Sequence, residues 1–256
     1  QAFILSLKTG TGLNPVFGGF HNYFRILEDK TFWQCLFNTG FYLIIQVPVM
    51  LILALILASM LNNPGLKFKG IYRTAIFLPC ATSLVSYSMI FRSIFANDGL
   101  INTLLGEIGI QPIEWFGNAW TARIVIIIAL IWRWTGYNMV FYLAGLQNIE
   151  SSVYEAAKLD GASPVQAFFK ITVPLLKPTI LLTVIMSTNG TLQLFDESVN
   201  LTSGGPGKST MTLSHYIYNT SFVQTPNFGY AAAMSIIILV MLAILAAIQM
   251  KVGDER

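Results

Sequence analysis

The sequence predicts an all-α fold, a polytopic bundle of membrane-spanning helices. Of its 256 residues, 54% are hydrophobic and 11% are charged, whereas a soluble domain carries about a quarter charged residues. A helix needs roughly 20 apolar residues to cross the hydrocarbon core of a bilayer, and it satisfies every backbone group within the segment. Five stretches are long enough to cross, at about 36–61, 72–95, 121–147, 176–198 and 229–250.

The first ten residues, QAFILSLKTG, form an apolar segment that is too short to cross a bilayer. The segment also lacks the charged region and the cleavage site of a signal peptide. We interpret it as the end of a truncated helix, so that the expected number of membrane helices is six. We detect no internal repeat, and we predict a single membrane domain over residues 1–256.

The distribution of Lys and Arg predicts which helix ends face the cytoplasm, because short cytoplasmic loops are enriched in these residues. Basic residues concentrate in two connections and at the C-terminus, namely Lys67, Lys69, Arg73, Lys158, Lys170, Lys177, Lys251 and Arg256. On the opposite side they are spread over longer segments and mixed with acidic residues, namely Lys8, Arg25, Lys30 and Lys208. The segment 154–178 and the C-terminus are therefore predicted to be cytoplasmic.

The remaining composition excludes several classes of function. A net charge of +3 is too small to indicate a nucleic-acid partner. The only cysteines are Cys35 and Cys80, and the only histidines are His21 and His215. These four residues suggest neither a disulfide framework nor a metal site. We also expect no catalytic residues in this chain.

The polar segment 154–178, YEAAKLDGASPVQAFFKITVPLLKP, predicts two short helices joined by a bend. Its first seven residues favour a helix. The glycine that follows suits a left-handed residue just past a helix end, and the S-P-x-Q sequence forms a capping box with Pro at the first helical position. Two later prolines limit an unkinked continuation. The residues that give these signals are Gly161, Ser163, Pro164, Gln166, Pro174 and Pro178.

Residues 155–174, EAAKLDGASPVQAFFKITVP, resemble the EAA loop of permease subunits in binding-protein-dependent ABC importers. That loop has the pattern E-A-A, three residues, Gly, nine residues and I-x-L-P, and this sequence departs from it only at Val173, where Leu is usual. The resemblance implies a coupling helix, within a loop at about 150–175, that docks on a cytoplasmic ATPase subunit. It assigns this role to Glu155, Ala156, Ala157, Asp160, Gly161 and Ala162.

The rest of the chain is similar to the carbohydrate-uptake, maltose-type subfamily of these permeases. The similarity lies in the segments NYFRILEDKTFWQCLFNT, YRTAIFLP, LAGLQNI and LTSGGPGKST. The resemblance implies a transport subunit without enzymatic activity, embedded in the lipid of a bacterial or archaeal cell membrane. Its partners would be a second homologous permease, two ATPase subunits that bind ATP and Mg, and an external solute-binding protein. This chain itself would bind no cofactor.

The sequence GGPGKST at residues 204–210 is similar to a nucleotide-binding P-loop but does not fit it. The pattern G-x-x-x-x-G-K-[ST] requires Gly five residues before Gly207, and that residue is Thr202. The segment also lies on the predicted external side, where ATP is not expected. We interpret it as a flexible external loop. The resemblance places this loop near a docking binding protein and the mouth of the pathway.

Two predicted membrane helices carry clusters of polar and aromatic residues. Such residues are costly in lipid and usually face the bundle interior or a water-filled cavity. Amides, hydroxyls and aromatic rings together suit a sugar, although small polar residues also join helices by packing. The predicted solute pathway comprises Arg133, Trp134, Tyr137, Asn138, Ser187, Asn189, Thr191, Gln193 and Leu194. The resemblance places five of these near the sugar-contact positions of the maltose permease, namely Trp134, Tyr137, Ser187, Thr191 and Leu194.

Two of these residues leave the identity of the solute open. Leu194 is apolar where a hydrogen-bonding residue would be expected for a sugar. Arg133 either binds an anionic solute, such as a sugar phosphate or glycerol phosphate, or pairs with Asp196 or Glu197. The expected function is ATP-driven import of a disaccharide or an oligosaccharide, with a phosphate-bearing polyol as the alternative. An ion-coupled secondary transporter and a membrane scaffold are the alternatives from other classes.

Overall fold

The computed structural model describes residues 1–12 and 16–254, so that Arg256 of the predicted cytoplasmic C-terminus lies outside the described residues. The predicted fold class is confirmed. The described chain is all-α apart from a short antiparallel pair of strands near the N-terminus.

The helices range from single turns to elements long enough to cross a bilayer. The two strands are β1 (Lys8–Thr9) and β2 (Val16–Phe17), with Lys8 opposite Phe17. The α-helices are α1 (Ala2–Ser6), α2 (His21–Glu28), α3 (Lys30–Asn62), α4 (Lys69–Ala81), α5 (Leu84–Ile94), α6 (Leu100–Glu107), α7 (Ala119–Gln147), α8 (Ser151–Leu159), α9 (Pro164–Ala167), α10 (Val173–Leu175), α11 (Lys177–Leu192), α12 (Asp196–Asn200), α13 (Leu213–Tyr218) and α14 (Phe228–Asp254). Two π-helical turns, Phe168–Thr172 and Asn219–Val223, follow α9 and α13.

Three of the predicted crossings are single helices, and two are bent pairs of helices. The helices α3, α7 and α14 contain 33, 29 and 27 residues, more than the roughly 20 that a crossing needs. In contrast, α4 and α5 meet at an angle of 98°, and the helical segment Pro164–Leu175 meets α11 at 68°. Apolar length alone predicts neither bend.

The first bend corrects the prediction of an uninterrupted crossing at 72–95. It falls at Thr82, where an extended ψ of 151° ends α4. The hydroxyl of this residue donates to the carbonyl of Pro79 at 2.7 Å. The predicted crossing at 176–198 is also too long, because α11 ends at Leu192.

The described residues form two compact units, each with its own apolar core. The first unit comprises Gln1–Ile45, Ser83–Leu130 and Asn189–Ala246, and the second comprises Gln46–Thr82, Ile131–Thr188 and the described residues from Ala247. Buried core residues of the first unit include Ile26, Phe32, Cys35, Leu213, Tyr230 and Met234. Those of the second include Met50, Ala54, Ala58, Met139, Tyr142 and Leu176. The predicted single domain concerns the complete chain and stays a prediction.

Within the second unit, Gly136 lies where α7 passes α4 at backbone contact. A Cβ at this position would stand 1.9 Å from the carbonyl oxygen of Ile76 and 3.0 Å from the Cα of Phe77. Small residues allow membrane helices to approach this closely, and glycine allows the closest approach. The contact fixes where the two helices cross.

In the first unit, Asp29 joins three helices. Its Oδ1 accepts the amides of Thr31 (2.8 Å) and Phe32 (3.3 Å) at the start of α3. Its Oδ2 accepts the hydroxyls of Tyr216 in α13 and Tyr230 in α14, both at 2.6 Å. Burial alone would raise the pKa of Asp29, but these four hydrogen bonds outweigh it and hold the pKa below its ordinary value of 3.8.

Gly136→Ala is expected to destabilise the protein, because the new methyl group would overlap the backbone of α4. Overpacking of this kind costs about 1–3 kcal/mol. The measurement is the thermal unfolding midpoint of the detergent-purified protein. Gly40→Ala is the matched control, since apart from the adjacent backbone of α3 no described atom lies within 4 Å of a Cβ at Gly40. Equal midpoints for the two variants would contradict the close contact.

Asp29→Asn is expected to destabilise the protein at pH 7 by on the order of 1 kcal/mol, because an amide cannot accept all four hydrogen bonds and the site is partly exposed. The pKa of Asp29 is lowered in the folded state, so its contribution is present above 3.8 and is lost as the pH falls through the folded-state pKa. The unfolding midpoint measured against pH checks this, with the exposed Glu28→Gln as control. A difference from the wild type that is independent of pH would oppose it.

Candidate coupling loop and solute pathway

The segment after α7 folds as a helix, a left-handed turn and a second helix, as predicted. The first helix, α8, ends at Leu159, and Gly161 follows with a φ of 78°. The amide of Ala162 donates to the carbonyl of Ala157 (2.9 Å), and the amide of Gly161 donates to that of Lys158 (3.1 Å). These two bonds form a Schellman motif, which satisfies carbonyls that a helix end leaves unpaired. The predicted left-handed glycine is therefore confirmed.

Ser163 begins α9 with the predicted capping box. Its hydroxyl accepts the amide of Gln166 (3.2 Å), and the side-chain oxygen of Gln166 accepts the amide of Ser163 (2.9 Å). Pro164 occupies the first helical position, where its missing N–H removes no helical hydrogen bond. The bend between α8 and α9 is thus specified by local interactions on both of its sides.

Beyond α9, the chain widens into the π-helical turn Phe168–Thr172. Pro174 cannot donate to the carbonyl four residues earlier, and the amide of Val173 bonds to the carbonyl five residues earlier, at the start of that turn. The last residue of the turn, Thr172, is buried and shares a 3.0 Å hydrogen bond with the hydroxyl of Tyr154 in α8. This bond joins the two arms of the loop.

The six predicted ATPase-contact residues differ in exposure. Ala157 is buried and Ala162 is half-buried, whereas the others are exposed, namely Glu155, Ala156, Asp160 and Gly161. Of the large apolar side chains of the loop, three are the most exposed, Leu159 by 89%, Val165 by 65% and Phe169 by 65%. We call these three residues the loop patch. The sequence analysis did not single them out, although large apolar residues in a polar segment are a signal of their own.

The predicted pathway residues of α7 lie in the second unit and pack in different ways. Tyr137 is half-buried, with its ring centroid 5.8 Å from that of Trp134 and 5.1 Å from that of Phe141. Asn138 is buried, and its amide donates to the carbonyl of Trp134 (3.0 Å). The hydroxyl of Ser187 donates to the Asn138 oxygen at 3.4 Å. The structure therefore brings Asn138 and Ser187 together.

Arg133 is buried beside the C-terminal end of α4. Its guanidinium donates to the carbonyls of Pro79 (3.5 Å) and Cys80 (3.4 Å). The last carbonyls of a helix have no helical amide to accept from, and a cation suits the negative end of the helix dipole. The sequence analysis missed this contact because the break after α4 was not visible. A pairing with Asp196 or Glu197 stays a prediction.

Asn189 and Gln193 lie in the first unit and form an exposed pair of amides, which we call the amide pair. The side-chain nitrogen of Gln193 donates to the side-chain oxygen of Asn189, one helical turn earlier. By contrast, Thr191 and Leu194 are buried. The carbonyl of Leu194 accepts the hydroxyl of Thr212. Of these four predicted pathway residues, only the two of the amide pair are exposed.

The segment 203–211, which we call the outer loop, contains the loop that we expected to be flexible. The buried residue Thr210 donates through its hydroxyl to the carbonyl of Gly205 at 2.8 Å. Its own carbonyl accepts the hydroxyl of Ser198 at 2.9 Å. The hydroxyl of Thr202, the residue that breaks the P-loop pattern, lies 2.7 Å from that of Thr210. Buried hydroxyls thus hold the base of the outer loop, and its flexibility stays a prediction.

The chain is similar to known transport proteins over nearly its whole length. Residues 37–254 match the family described as binding-protein-dependent transport system inner membrane component. The lactose transport system permease protein LacF of Rhizobium radiobacter is 52% identical over 260 residues, covering 100% of this chain and 87% of LacF. The trehalose/maltose transport system permease protein MalF of Thermococcus litoralis is 34% identical over 241 residues, covering 94% and 81%.

A solved structure has the same fold. A bacterial ABC transporter involved in the import of the acidic polysaccharide alginate has a TM-score of 0.84, with 22% identity over 92% of this chain and 83% of the alginate chain. The family match spans the predicted coupling loop and all predicted pathway residues. The chain is a multi-pass membrane component of a transport system, not an enzyme, and it belongs to the family of binding-protein-dependent transport system inner membrane components.

Proposed function

We propose that the chain is the permease subunit of an ATP-driven importer that carries a disaccharide or an oligosaccharide into the cytoplasm. The relatives support a sugar, since LacF is named for lactose and MalF for trehalose and maltose. The family description supports delivery by a solute-binding protein. The location that we propose is the cell membrane of a bacterium or archaeon, the inner membrane where there are two.

The amide pair is the observation that carries the solute pathway. Asn189 and Gln193, at the end of α11 and just beyond it, are exposed, whereas the exposed side chains one and two turns earlier, Met186 and Leu182, are apolar. Lipid cannot satisfy the donors and acceptors of an exposed amide. A water-filled pathway or a partner subunit must therefore cover this face. Because an amide both donates and accepts, it matches the hydroxyl groups of a sugar.

The aromatic residues of α7 support the same class of solute. Trp134 and Tyr137 are half-buried, so part of each ring is accessible, and aromatic rings pack well on the apolar face of a sugar. The guanidinium of Arg133 contacts the carbonyls at the end of α4. This contact gives Arg133 a structural role and weakens the case for a phosphate-bearing polyol. Membership of a binding-protein-dependent family disfavours an ion-coupled secondary transporter and a scaffold.

The coupling loop supplies the mechanical link to ATP hydrolysis. Two partner ATPase subunits bind ATP and Mg, and the loop patch contacts one of them, since large apolar side chains exposed in a polar segment favour a protein interface. The Schellman motif, the capping box and the bond between Tyr154 and Thr172 make the loop rigid. A displacement of the loop therefore moves the attached helices α7 and α11 as rigid bodies. A second homologous permease completes the pathway.

Asn189→Leu and Gln193→Leu are each expected to reduce uptake of the transported sugar about tenfold, because about 1.4 kcal/mol is what one lost hydrogen bond contributes. The measurement is uptake of radiolabelled lactose, maltose and trehalose by cells that carry the complete transporter. Met186→Leu is the matched control, since it changes another exposed position of α11 without removing a polar group. Wild-type uptake by both amide variants would remove the amide pair from the pathway.

Gly161→Val is expected to abolish coupled transport, whereas Gly161→Asn is expected to retain it. Apart from Gly161 and its two chain neighbours, no described residue has an atom within 4 Å of a Cβ at Gly161, so the backbone conformation decides the outcome. Asn tolerates the left-handed region and a β-branched residue does not, a difference of about 1–3 kcal/mol. The measurement is sugar-stimulated ATPase activity of the purified assembly, with membrane insertion checked by immunoblotting. Full activity of Gly161→Val would refute the coupling role of the turn.

A further inference from the structure

The outer loop combines an uncommon backbone conformation with a small exposed tip. Ser203, Gly204, Gly207 and Lys208 all have positive φ, between 52° and 77°. Ser203 and Lys208 are not glycine, and side chains rarely occupy this region unless the surrounding structure fixes them there. The exposed residues of the loop are Ser203, Gly207 and Lys208. The strained residues therefore coincide with the tip.

Two buried side chains of long membrane helices hold the base of this loop. The amide of Asn38 in α3 donates to the carbonyls of Lys208 (3.1 Å) and Met211 (2.9 Å). Arg123 in α7 donates through Nε to the carbonyl of Ser209 (3.0 Å) and through Nη2 to the oxygen of Asn38 (2.9 Å). Asn38 and Arg123 thus bind three backbone carbonyls within the four residues 208–211. The side chain of Lys208 in this segment is exposed.

The guanidinium of Arg123 is itself fixed by aromatic rings. It lies 5.0 Å from the ring centre of Trp120 and 5.6 Å from those of Phe37 and Phe41. Arg123 is 8% exposed. A planar guanidinium can stack on such rings and still present donors in two directions, which an ammonium group does poorly. Two donated hydrogen bonds and three ring contacts of one side chain therefore favour arginine over lysine at position 123.

We propose that Asn38 and Arg123 are positioning residues, which hold Gly207 and Lys208 in the shape that the solute-binding protein contacts when it docks. This inference rests on the proposed function. A segment that only connected two helices would not need a non-glycine residue held in the left-handed region by buried side chains. Strain of this kind is found where a surface must be ready before its partner arrives.

The positive charge of Lys208 at the tip indicates which chemical group the binding protein would place opposite it. The ammonium group of Lys208 is exposed and donates to the hydroxyl of Thr31 at 3.2 Å. The backbone carbonyl of Lys208 is held by Asn38, so the point at which the side chain leaves the loop is fixed. We expect a carboxylate on the binding protein opposite Lys208, because complementary charges at a rim steer association.

Asn38→Asp tests the clamp in the complete transporter, reconstituted in lipid nanodiscs. Aspartate keeps the size of the side chain and the acceptor for Arg123, but it cannot donate to the carbonyls of Lys208 and Met211. The first measurement is the rate of tryptic cleavage after Lys208, followed by mass spectrometry. We expect it to rise about tenfold, the effect of one or two lost hydrogen bonds.

The second measurement separates positioning from general damage. It is the concentration of lactose-loaded binding protein that gives half-maximal ATPase stimulation. We expect this concentration to rise about tenfold in Asn38→Asp and in Arg123→Lys, while the basal and maximal rates stay within about twofold of the wild type. A merely structural role would lower both rates together and leave the half-maximal concentration unchanged.

Two further variants complete the test. Asn97→Asp adds the same charge at an exposed position of the first unit and is expected to behave as the wild type. Lys208→Gln alters only the exposed tip, so it tests the contact even if Asn38→Asp does not assemble. An unchanged half-maximal concentration in Lys208→Gln, or an unchanged cleavage rate in Asn38→Asp, would overturn the proposal. A wild-type assembly that loaded binding protein does not stimulate would overturn the proposed function and this inference with it.

Discussion

Backbone groups that leave regular helical geometry in an apolar chain need polar partners, since lipid offers none. At the end of α4, the guanidinium of Arg133 reaches two of the last carbonyls. Beyond the end of α11, the carbonyl of Leu194 accepts the hydroxyl of Thr212. In the outer loop, the amide of Asn38 holds two carbonyls. These polar partners satisfy carbonyls at the bends and loops that shape this protein.

The fold of the candidate coupling loop was predictable from the sequence because each of its signals is local. The Schellman motif joins residues five apart, and the capping box joins residues three apart, so their partners can be read directly from the chain. The partners of Arg133 and Asn38 lie 53 to 173 residues away. A single sequence does not reveal such pairs. For the same reason, the apolar length of 72–95 predicted a crossing but not its bend.

Among the predicted pathway residues, the residue type alone does not predict whether a side chain is buried or exposed. Asn138 and Asn189 are the same residue on two apolar helices, yet the first is buried and the second is exposed. Asn138 bonds to its own helix and to Ser187, so its amide is largely occupied by packing. Asn189 bonds to Gln193 on an exposed face. Helical periodicity could have separated the two environments only if the ends and the buried faces of both helices had been known.

The loop patch has a consequence for the biogenesis of the transporter. Leu159, Val165 and Phe169 lie in three consecutive helical segments, and they stay exposed until another protein covers them. If the proposed ATPase subunit is the protein that covers them, a newly made copy without it would present this apolar surface to chaperones and membrane proteases. Surplus copies would be degraded while assembled ones survive. In this way the same three side chains would keep the subunits at matched stoichiometry.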